Sequence, residues 1–494
     1  MGAISLAMSR SGDYVLPHLG SEPFVEKPPL FFATAALFHA HLSPFLGDLP
    51  AIRLSCAFWA LGTLISVFLL GRLLLGPEEG LLATAILGTM VGFLDNAHWL
   101  RVDAALVFFV CAAICSYAHF FMRSFLACAT LGGVLTAGAF LSKGFIGPAF
   151  IAMAFFLLFA LDLFSGERKL SKVDLIVHSS LSLLAFSLIC GLWMLLFRIR
   201  AGGELWDLWF WDENVGRFTG QSSHTHHERP PYYYLPVFLY YSLPWSLLSL
   251  EALCSAIGEF KGRGFDKRGS FILLFFLFGF LLLSIASTKR PIYFALLLPS
   301  IALLIARLFQ RELSWRSVFF MRFWLFLSPL AMLGLALYFG SIVALCCLCA
   351  SVALLRLSFR GREHLASVVV YVSLSLYLAS ACVLFPAIDE KKSMASGVAD
   401  FLSEVDKKGA RRGVVAWNPS ETTLGALYFY SGWKVASFSD GEFLESFFSG
   451  ESPYWGLLVS SRRLRPDFFE RAELLYEAAL TERRKLYLFG PRDK

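Results

Sequence analysis

Four short polar segments of this sequence carry side chains that could do chemistry, and each lies at the end of an apolar stretch. The first, Glu22–Pro29, holds Glu26 and Lys27 directly before two prolines. Proline is favoured at the start of a helix, and the N–H groups of a helix N-terminus attract anions. We therefore predict that Lys27 binds a phosphate and that Glu26 acts as a base or holds a metal. The alternative is a solvated acid–base pair that caps the helix.

The second segment, Asp95–Asp103, forms the turn between two apolar stretches and contains Arg101 and Asp103. Ionisable groups at a membrane boundary are costly and usually face the protein interior. This segment therefore predicts either a functional pair of charges or a structural ion pair that joins two helices.

The third segment runs from Trp211 to Tyr234 and contains Arg217, His226 and His227. A histidine cluster could bind a metal, although this spacing matches no standard zinc site. The tyrosines that close the segment also suit an aromatic belt at a membrane surface.

The fourth segment, Ser287–Tyr293, places Lys289 and Arg290 directly before Pro291. A helix that begins at this proline would add its N-terminal dipole to the two cations. We predict that this segment binds an anionic head group, with tolerated surface charge as the alternative.

Composition identifies the setting of these segments as a membrane. The chain has 494 residues, of which 57% are hydrophobic and 50 are Phe, and its mean hydropathy is +0.63. Charged residues make up 16%, against about 25% in soluble domains. The net charge of +6 sits mostly in short loops between apolar segments, which argues against a nucleic-acid partner. All ten cysteines lie in apolar segments, so neither a redox role nor a zinc role is indicated.

Apolar runs of about 17–25 residues predict membrane-spanning helices. The twelve predicted spans are 51–75, 79–97, 101–122, 125–142, 145–163, 173–198, 232–256, 270–287, 291–309, 317–336, 338–357 and 365–387. The run Leu30–Leu42 is too short to span and better fits a helix at the membrane surface. We predict an all-α polytopic membrane bundle over residues 1–390, with larger outer-face loops at 1–50 and 199–231.

The distribution of basic residues predicts which ends of the spans face the cytoplasm. Short loops on one side hold most of the lysines and arginines, and the opposite short loops hold only Arg101, Lys143, Lys289 and Arg290. The basic side should be cytoplasmic. The four polar segments and residues 391–494 then lie outside. Short strand-like runs at 413–417, 434–438, 456–459 and 485–489, with helical stretches between them, predict a small α/β domain there.

Cations and carboxylates from separate loops thus share one membrane face. Positive charge stabilises a phosphate leaving group, a carboxylate can deprotonate an acceptor hydroxyl, and a groove between helices can hold a lipid tail. Sugar transfer from a lipid-linked phosphate donor would use all three features: the cations, the carboxylate and the groove. A transporter or flippase of lipid-linked sugars and a non-catalytic membrane scaffold are the alternatives.

Several motifs make the sequence resemble a known family. They are SGDYVLP at 11–17, EPFVEKPPL at 22–30, RVD at 101–103, ENVGRF at 213–218, the stretch at 224–237 and STKRPIYFALLLP at 287–299. In this order they resemble bacterial GT-C membrane glycosyltransferases related to protein O-mannosyltransferases, including the lipid A aminoarabinose transferases. EKPP with its flanks is the most specific of them.

The resemblance implies inverting transfer of a sugar from undecaprenyl phosphate to a lipid A, glycan or protein acceptor, at the periplasmic face of the bacterial inner membrane. It places Glu26 in the active centre and Asp103 near the sugar or acceptor, steadied by Arg101. The residues implied to hold the donor phosphate are Lys27, Arg217, Lys289 and Tyr293. His226 or His227 would join Glu26 at a divalent metal.

One part of the family pattern is absent from the sequence. A first transmembrane helix and a catalytic aspartate precede the SGD motif in this family, and alignment on that motif places both before Met1. We therefore expect either a start upstream of Met1 or a truncated copy.

Overall fold

The computed structural model describes residues 1–164, 170–216, 229–262, 266–359, 362–409, 411–461, 467–481 and 484–492. Within these ranges the chain forms a helical bundle that is followed by a small mixed α/β region. This is the predicted fold class.

The first half of the bundle comprises nine helices among the described residues up to 216. Its helices are α1 (Gly2–Ser11), α2 (Leu30–Leu46), α3 (Asp48–Leu74), α4 (Pro77–Thr89), α5 (Val91–His98), α6 (Asp103–Arg123), α7 (Ala127–Lys143), α8 (Ile146–Phe164) and α9 (Lys172–Asp207). A π-helical segment, Leu208–Gly216, continues α9.

The second half leads to the C-terminal region. Its helices are α10 (Tyr234–Tyr241), α11 (Ser246–Lys261), α12 (Lys267–Ile285), α13 (Leu298–Leu308), α14 (Trp315–Phe339), α15 (Ile342–Leu355), α16 (Arg362–Ala379) and α17 (Phe385–Lys392). A 3₁₀ turn, Pro291–Leu297, precedes α13.

Each of the twelve predicted spans contains a helix, but not all of these helices are long enough to cross a membrane alone. In the described part of the chain, eight are long and apolar enough, or up to ten if each of two bent pairs is one span. The bent pairs are α4 with α5, at 66°, and α10 with α11, at 118°. The other two predicted spans, α7 and α15, have 17 and 14 residues. Because the residues that flank these two helices are also apolar, the sequence does not reveal that the helices are short.

Burial distinguishes the inner helices from those at the rim. The most apolar windows of α6 and of Pro291–Leu308 are 78% and 83% buried, whereas that of the helix beginning at Lys172 is only 22% buried. The rim helices expose many leucine and phenylalanine side chains. A lipid environment removes the cost of exposing these side chains, so the rim is the lipid-facing surface of the bundle.

The C-terminal region is built around a five-stranded sheet. Its elements are α18 (Ala395–Lys408), β3 (Val414–Trp417), α19 (Glu421–Ser431), β4 (Ser437–Phe438), α20 (Gly441–Phe448), β5 (Gly456–Ser461), α21 (Asp467–Arg471), β6 (Ala472–Thr481) and β7 (Arg484–Pro491). The strand order is β4-β3-β5-β7-β6. Strand β3 is parallel to β4 and β5, and β7 is antiparallel to β5 and β6.

Four of these strands coincide with the predicted strand-like runs, but β6 does not. Its sequence is rich in Ala, Glu and Leu, which favour helix by intrinsic propensity. In the fold, β6 pairs along its length with β7, and this pairing overrides the local preference.

The C-terminal region packs against the start of the chain. A short hairpin, β1 (His18–Leu19) with β2 (Glu22–Pro23), contacts both α1 and the C-terminal region. Leu19, Phe24 and Tyr428 are buried in one apolar cluster. The segment that carries the first candidate site is therefore held by both parts of the molecule.

Candidate functional site

Glu26 and Lys27 lie where the sequence predicts, between β2 and the start of α2. The helix begins at Leu30 with Pro29 as its N-cap residue. The Lys27 Nζ lies 3.3 Å from the Glu26 Oε2, and the two side chains are 13% and 28% exposed, respectively. Both charges are thus partly withdrawn from water beside a helix N-terminus.

Asp103 and Lys143 form a second, more deeply buried ion pair. Asp103 is the first residue of α6 and Lys143 is the last residue of α7. The Lys143 Nζ donates to the Asp103 Oδ1, and the two side chains are 10% and 9% exposed. A carboxylate at a helix N-terminus and an ammonium at a C-terminus each complement the helix dipole. The pair therefore joins α6 to α7 at the same end of the bundle as Lys27.

Arg101 does not steady Asp103, contrary to the sequence expectation. Its Nη1 lies 2.8 Å from the Asp95 Oδ2 instead. Tyr241 also donates to this oxygen, at 3.3 Å. Helix α5 ends at His98, and Trp99 adopts an extended backbone conformation. This turn directs Arg101 back toward Asp95, while Asp103 begins the next helix.

Tyr293 completes the cluster around Lys143. It lies in the 3₁₀ turn before α13, and its ring centroid is 4.3 Å from the Lys143 Nζ. A cation at this distance is attracted by the negative face of the ring. Lys143 is thus placed by a carboxylate on one side and an aromatic face on the other.

Two cavities meet at these residues. The first, of about 290 Å³, has a polar end and an apolar wall; the wall is formed by Phe145, Ile146, Ala149, Phe150, Leu282, Leu283 and Ala286. The second, of about 350 Å³, is more polar and is lined in part by Asp95, Arg101, Asp103 and Arg290. Lys27, Lys143 and Tyr293 line both cavities. An anionic group bound between the two cavities would meet two ammonium groups.

Glu213 and Asn214 also line the first cavity, and neither is among the residues predicted to form the site. They lie in the π-helical segment after α9, and Glu213 is buried. Asn214 approaches Gly144 so closely that a Cβ there would lie 2.4 Å from the Asn214 Oδ1. Glycine at this position is required both by that approach and by its φ of +74°.

Lys289 and Arg290 are placed differently from each other. The Lys289 side chain is buried and donates to the carbonyl oxygens of Arg229, at 3.0 Å, and Ala286. Burial lowers the pKa of Lys289 from its ordinary value. Arg290 is exposed and lines the second cavity. Lys289 lines neither cavity, so its predicted phosphate contact stays a prediction.

The predicted metal site is only partly within the described residues. Arg217, His226 and His227 lie outside the ranges that the structure describes. Across those ranges, no group of three or more His, Cys, Asp or Glu side chains is arranged to hold a metal. Glu26 is instead ion-paired with Lys27. The described residues alone do not make a metal centre.

Glu421, from the first turn of α19, reaches Glu26 from the C-terminal region. It lines a third cavity of about 330 Å³, between α1 and α19. Burial raises the pKa of Glu421, and the neighbouring carboxyl of Glu26, to which Glu421 donates a hydrogen bond, raises it further. The sequence gives no sign of this contact, because about 400 residues separate the two side chains.

Several known proteins are similar to this chain in sequence or in fold. A sequence model of the family described as dolichyl-phosphate-mannose-protein mannosyltransferase matches residues 26–193. The chain is 28% identical over 311 residues to the undecaprenyl phosphate-alpha-4-amino-4-deoxy-L-arabinose arabinosyl transferase of Serratia proteamaculans, covering 61% of this chain and 53% of that protein. It is 29% identical over 319 residues to the protein of the same name from Pseudomonas aeruginosa, covering 63% and 54%. The chain thus matches about half the length of these curated relatives.

Solved structures share the fold over nearly the whole chain. The crystal structure of ArnT from Cupriavidus metallidurans bound to undecaprenyl phosphate superimposes with a TM-score of 0.75 and 17% identity, covering 99% of this chain and 92% of that one. Its apo state gives a TM-score of 0.71 with 16% identity and the same coverage. The protein is therefore a multi-pass membrane protein that has the fold of ArnT and is similar, over residues 26–193, to the dolichyl-phosphate-mannose-protein mannosyltransferase family.

Proposed function

We propose that this protein transfers a sugar from a polyprenyl-phosphate donor to an acceptor at the outer face of the bacterial cytoplasmic membrane. The observation that carries the proposal is the first cavity, which has Lys27, Lys143 and Tyr293 at one end and an apolar wall from α8 and α12. An isoprenoid phosphate has matching parts, an anionic head and an apolar chain.

The two lysines supply what a phosphate leaving group needs. Negative charge builds on the phosphate as the bond to the sugar breaks, and fixed cations in a site shielded from water stabilise that charge. Lys143 is fixed by Asp103 and Tyr293, and Lys27 is fixed beside Glu26. Because these contacts exist before substrate binds, little reorganisation is needed during transfer. Arg217 is proposed to add a further phosphate contact.

Glu26 is proposed to accept the proton of the acceptor hydroxyl, and Asp103 to lie near the sugar. Glu26 lines the first cavity and Asp103 lines the second, so a sugar held between the cavities would have a carboxylate on either side. Attack by the acceptor on the side opposite the phosphate would invert the anomeric centre. A partly buried carboxylate is a suitable general base for such a step.

The shared name of the two relatives supports an undecaprenyl carrier lipid and an aminoarabinose-type donor. The ArnT crystal structure with undecaprenyl phosphate supports a lipid phosphate as the ligand of this fold. The proposed acceptor is lipid A, a glycan or a protein. The excess of basic residues in the opposite loops supports an extracytoplasmic site and C-terminal domain.

A transfer assay tests the proposal. The purified full chain in lipid nanodiscs would receive a radiolabelled undecaprenyl-phosphate sugar together with lipid A, a peptide pool or an oligosaccharide. We expect label in one acceptor and an equal amount of undecaprenyl phosphate released, as mass spectrometry would show. Donor without acceptor is the control and should release much less.

A liposome experiment separates transfer from transport. A flippase would move the intact labelled donor across the bilayer without cleaving it. Such movement, with no labelled product from any of the three acceptors, would contradict the proposal. The ionisable residues described above lie at one end of the bundle, which favours transfer over a path through the membrane.

A further inference from the structure

The C-terminal region reaches the transfer site through the acidic side chain of Glu421. Glu421 is the first residue of α19, which follows the N-cap residue Ser420. Its carboxyl donates a hydrogen bond to Glu26, the residue proposed above as the base. Glu26 is therefore contacted by Lys27 from its own segment and by Glu421 from the other part of the molecule.

The same region also holds the hairpin that leads to Glu26. The Ser437 Oγ donates to the Glu22 Oε1 at 2.9 Å, and the Ser21 Oγ donates to the Val435 carbonyl at 3.3 Å. Gly425 in α19 packs so near the hairpin that a Cβ there would lie 3.5 Å from the Leu19 Cδ1. The hairpin is thus attached to the C-terminal region, and the segment after it ends in α2.

The direction of the Glu26 carboxyl depends on the two side chains that contact it, Lys27 and Glu421. The charged groups that face Glu421 are Glu26, Lys27 and the amino group of Met1. Lys27 alone would hold one oxygen of Glu26, since the ion pair is formed through its Oε2. A second contact, from Glu421, restricts rotation of the carboxyl. Misplacement of a catalytic group by about 1 Å can cost about a hundredfold in rate.

We propose that Glu421 is a positioning residue of the transfer site, through which the C-terminal region orients Glu26. The inference rests on the proposed function, because it needs Glu26 to act in transfer. It predicts that the isolated bundle would bind donor yet transfer poorly. It also gives the C-terminal region a direct part in the reaction.

Substitution of Glu421 tests this inference in the full chain. Glu421→Ala removes the contact, and we expect kcat for transfer to fall about 10- to 100-fold while KM for the donor changes less than about twofold. Glu421→Gln keeps a donor N–H and should restore most of kcat. Hydrogen exchange measured by mass spectrometry should be faster over residues 24–29 in the alanine variant and normal in the glutamine variant.

Ser437→Ala is the matched control, because it removes one contact between the same two parts without touching Glu26. It should leave kcat within about twofold of the unsubstituted protein. An equal loss of kcat in Ser437→Ala and Glu421→Ala, or no loss in the latter, would overturn the inference. If the unsubstituted protein transfers no sugar, the proposed function fails, and hydrogen exchange then tests the inference on its own. Unchanged hydrogen exchange over residues 24–29 in Glu421→Ala would overturn the inference. Faster exchange in Glu421→Ala that returns to normal in Glu421→Gln would support it.

Discussion

Replacing Lys27 with alanine is expected to lower the rate of sugar transfer by about 10²- to 10³-fold, the cost of removing one fixed transition-state donor. The large effect is expected because of the position of Lys27, which lines both cavities and lies beside the N-terminus of α2. Removal of its charge leaves Lys143 as the one described ammonium at the junction of the cavities. Initial rates at saturating donor measure the effect.

Two variants serve as controls for this prediction. Lys27→Arg keeps the positive charge and should retain much more activity than Lys27→Ala. Lys172→Ala removes an exposed lysine at the start of α9, at the opposite end of the bundle, and should leave the rate unchanged. Transfer by Lys27→Ala at the rate of the unsubstituted protein would show that the phosphate is bound elsewhere.

Asp103→Ala is expected to harm both stability and activity. Breaking a buried ion pair leaves the remaining charge without compensation and typically costs about 3–5 kcal/mol. Here the remaining charge is Lys143, whose side chain is only 10% exposed. The Tm of the purified protein should fall, and transfer should fall with it because Lys143 loses the carboxylate that fixes it.

A double substitution separates these two effects. Asp103→Leu with Lys143→Met replaces the pair by apolar side chains, which is often neutral for stability. We expect Tm to return toward its original value while transfer stays lost, because the ammonium at the cavity junction is gone. Full transfer by this double variant would mean that the pair is purely structural.

The membrane architecture could be predicted well because its cause is local. Runs of apolar residues are visible in the sequence, and each predicted span contains a helix. What could not be predicted is where such a helix bends or stays short, as at the break between α4 and α5. The C-terminal sheet shows the same limit, since β6 is a strand only through its pairing with β7.

The candidate site could be predicted in outline but not in its pairings. The sequence placed Lys27, Asp103 and Tyr293 at one membrane face, and the structure brings all three to the same pair of cavities. Lys143 was visible as one of few cations on that side, yet its contact with Asp103 depends on how α6 and α7 pack. Glu421 had no local signal at all. Long-range contacts of this kind follow from tertiary packing and leave no pattern in a single sequence.

The central claim is that a polyprenyl phosphate binds in the first cavity with its phosphate at Lys27, Lys143 and Tyr293. Photocrosslinking tests it most directly, with an undecaprenyl phosphate that carries a diazirine on the isoprene unit next to the phosphate. We predict labelled peptides from 145–150 or 282–293, and competition by unlabelled undecaprenyl phosphate. Labelling confined to other helices, such as α14 and α15, would contradict the claim.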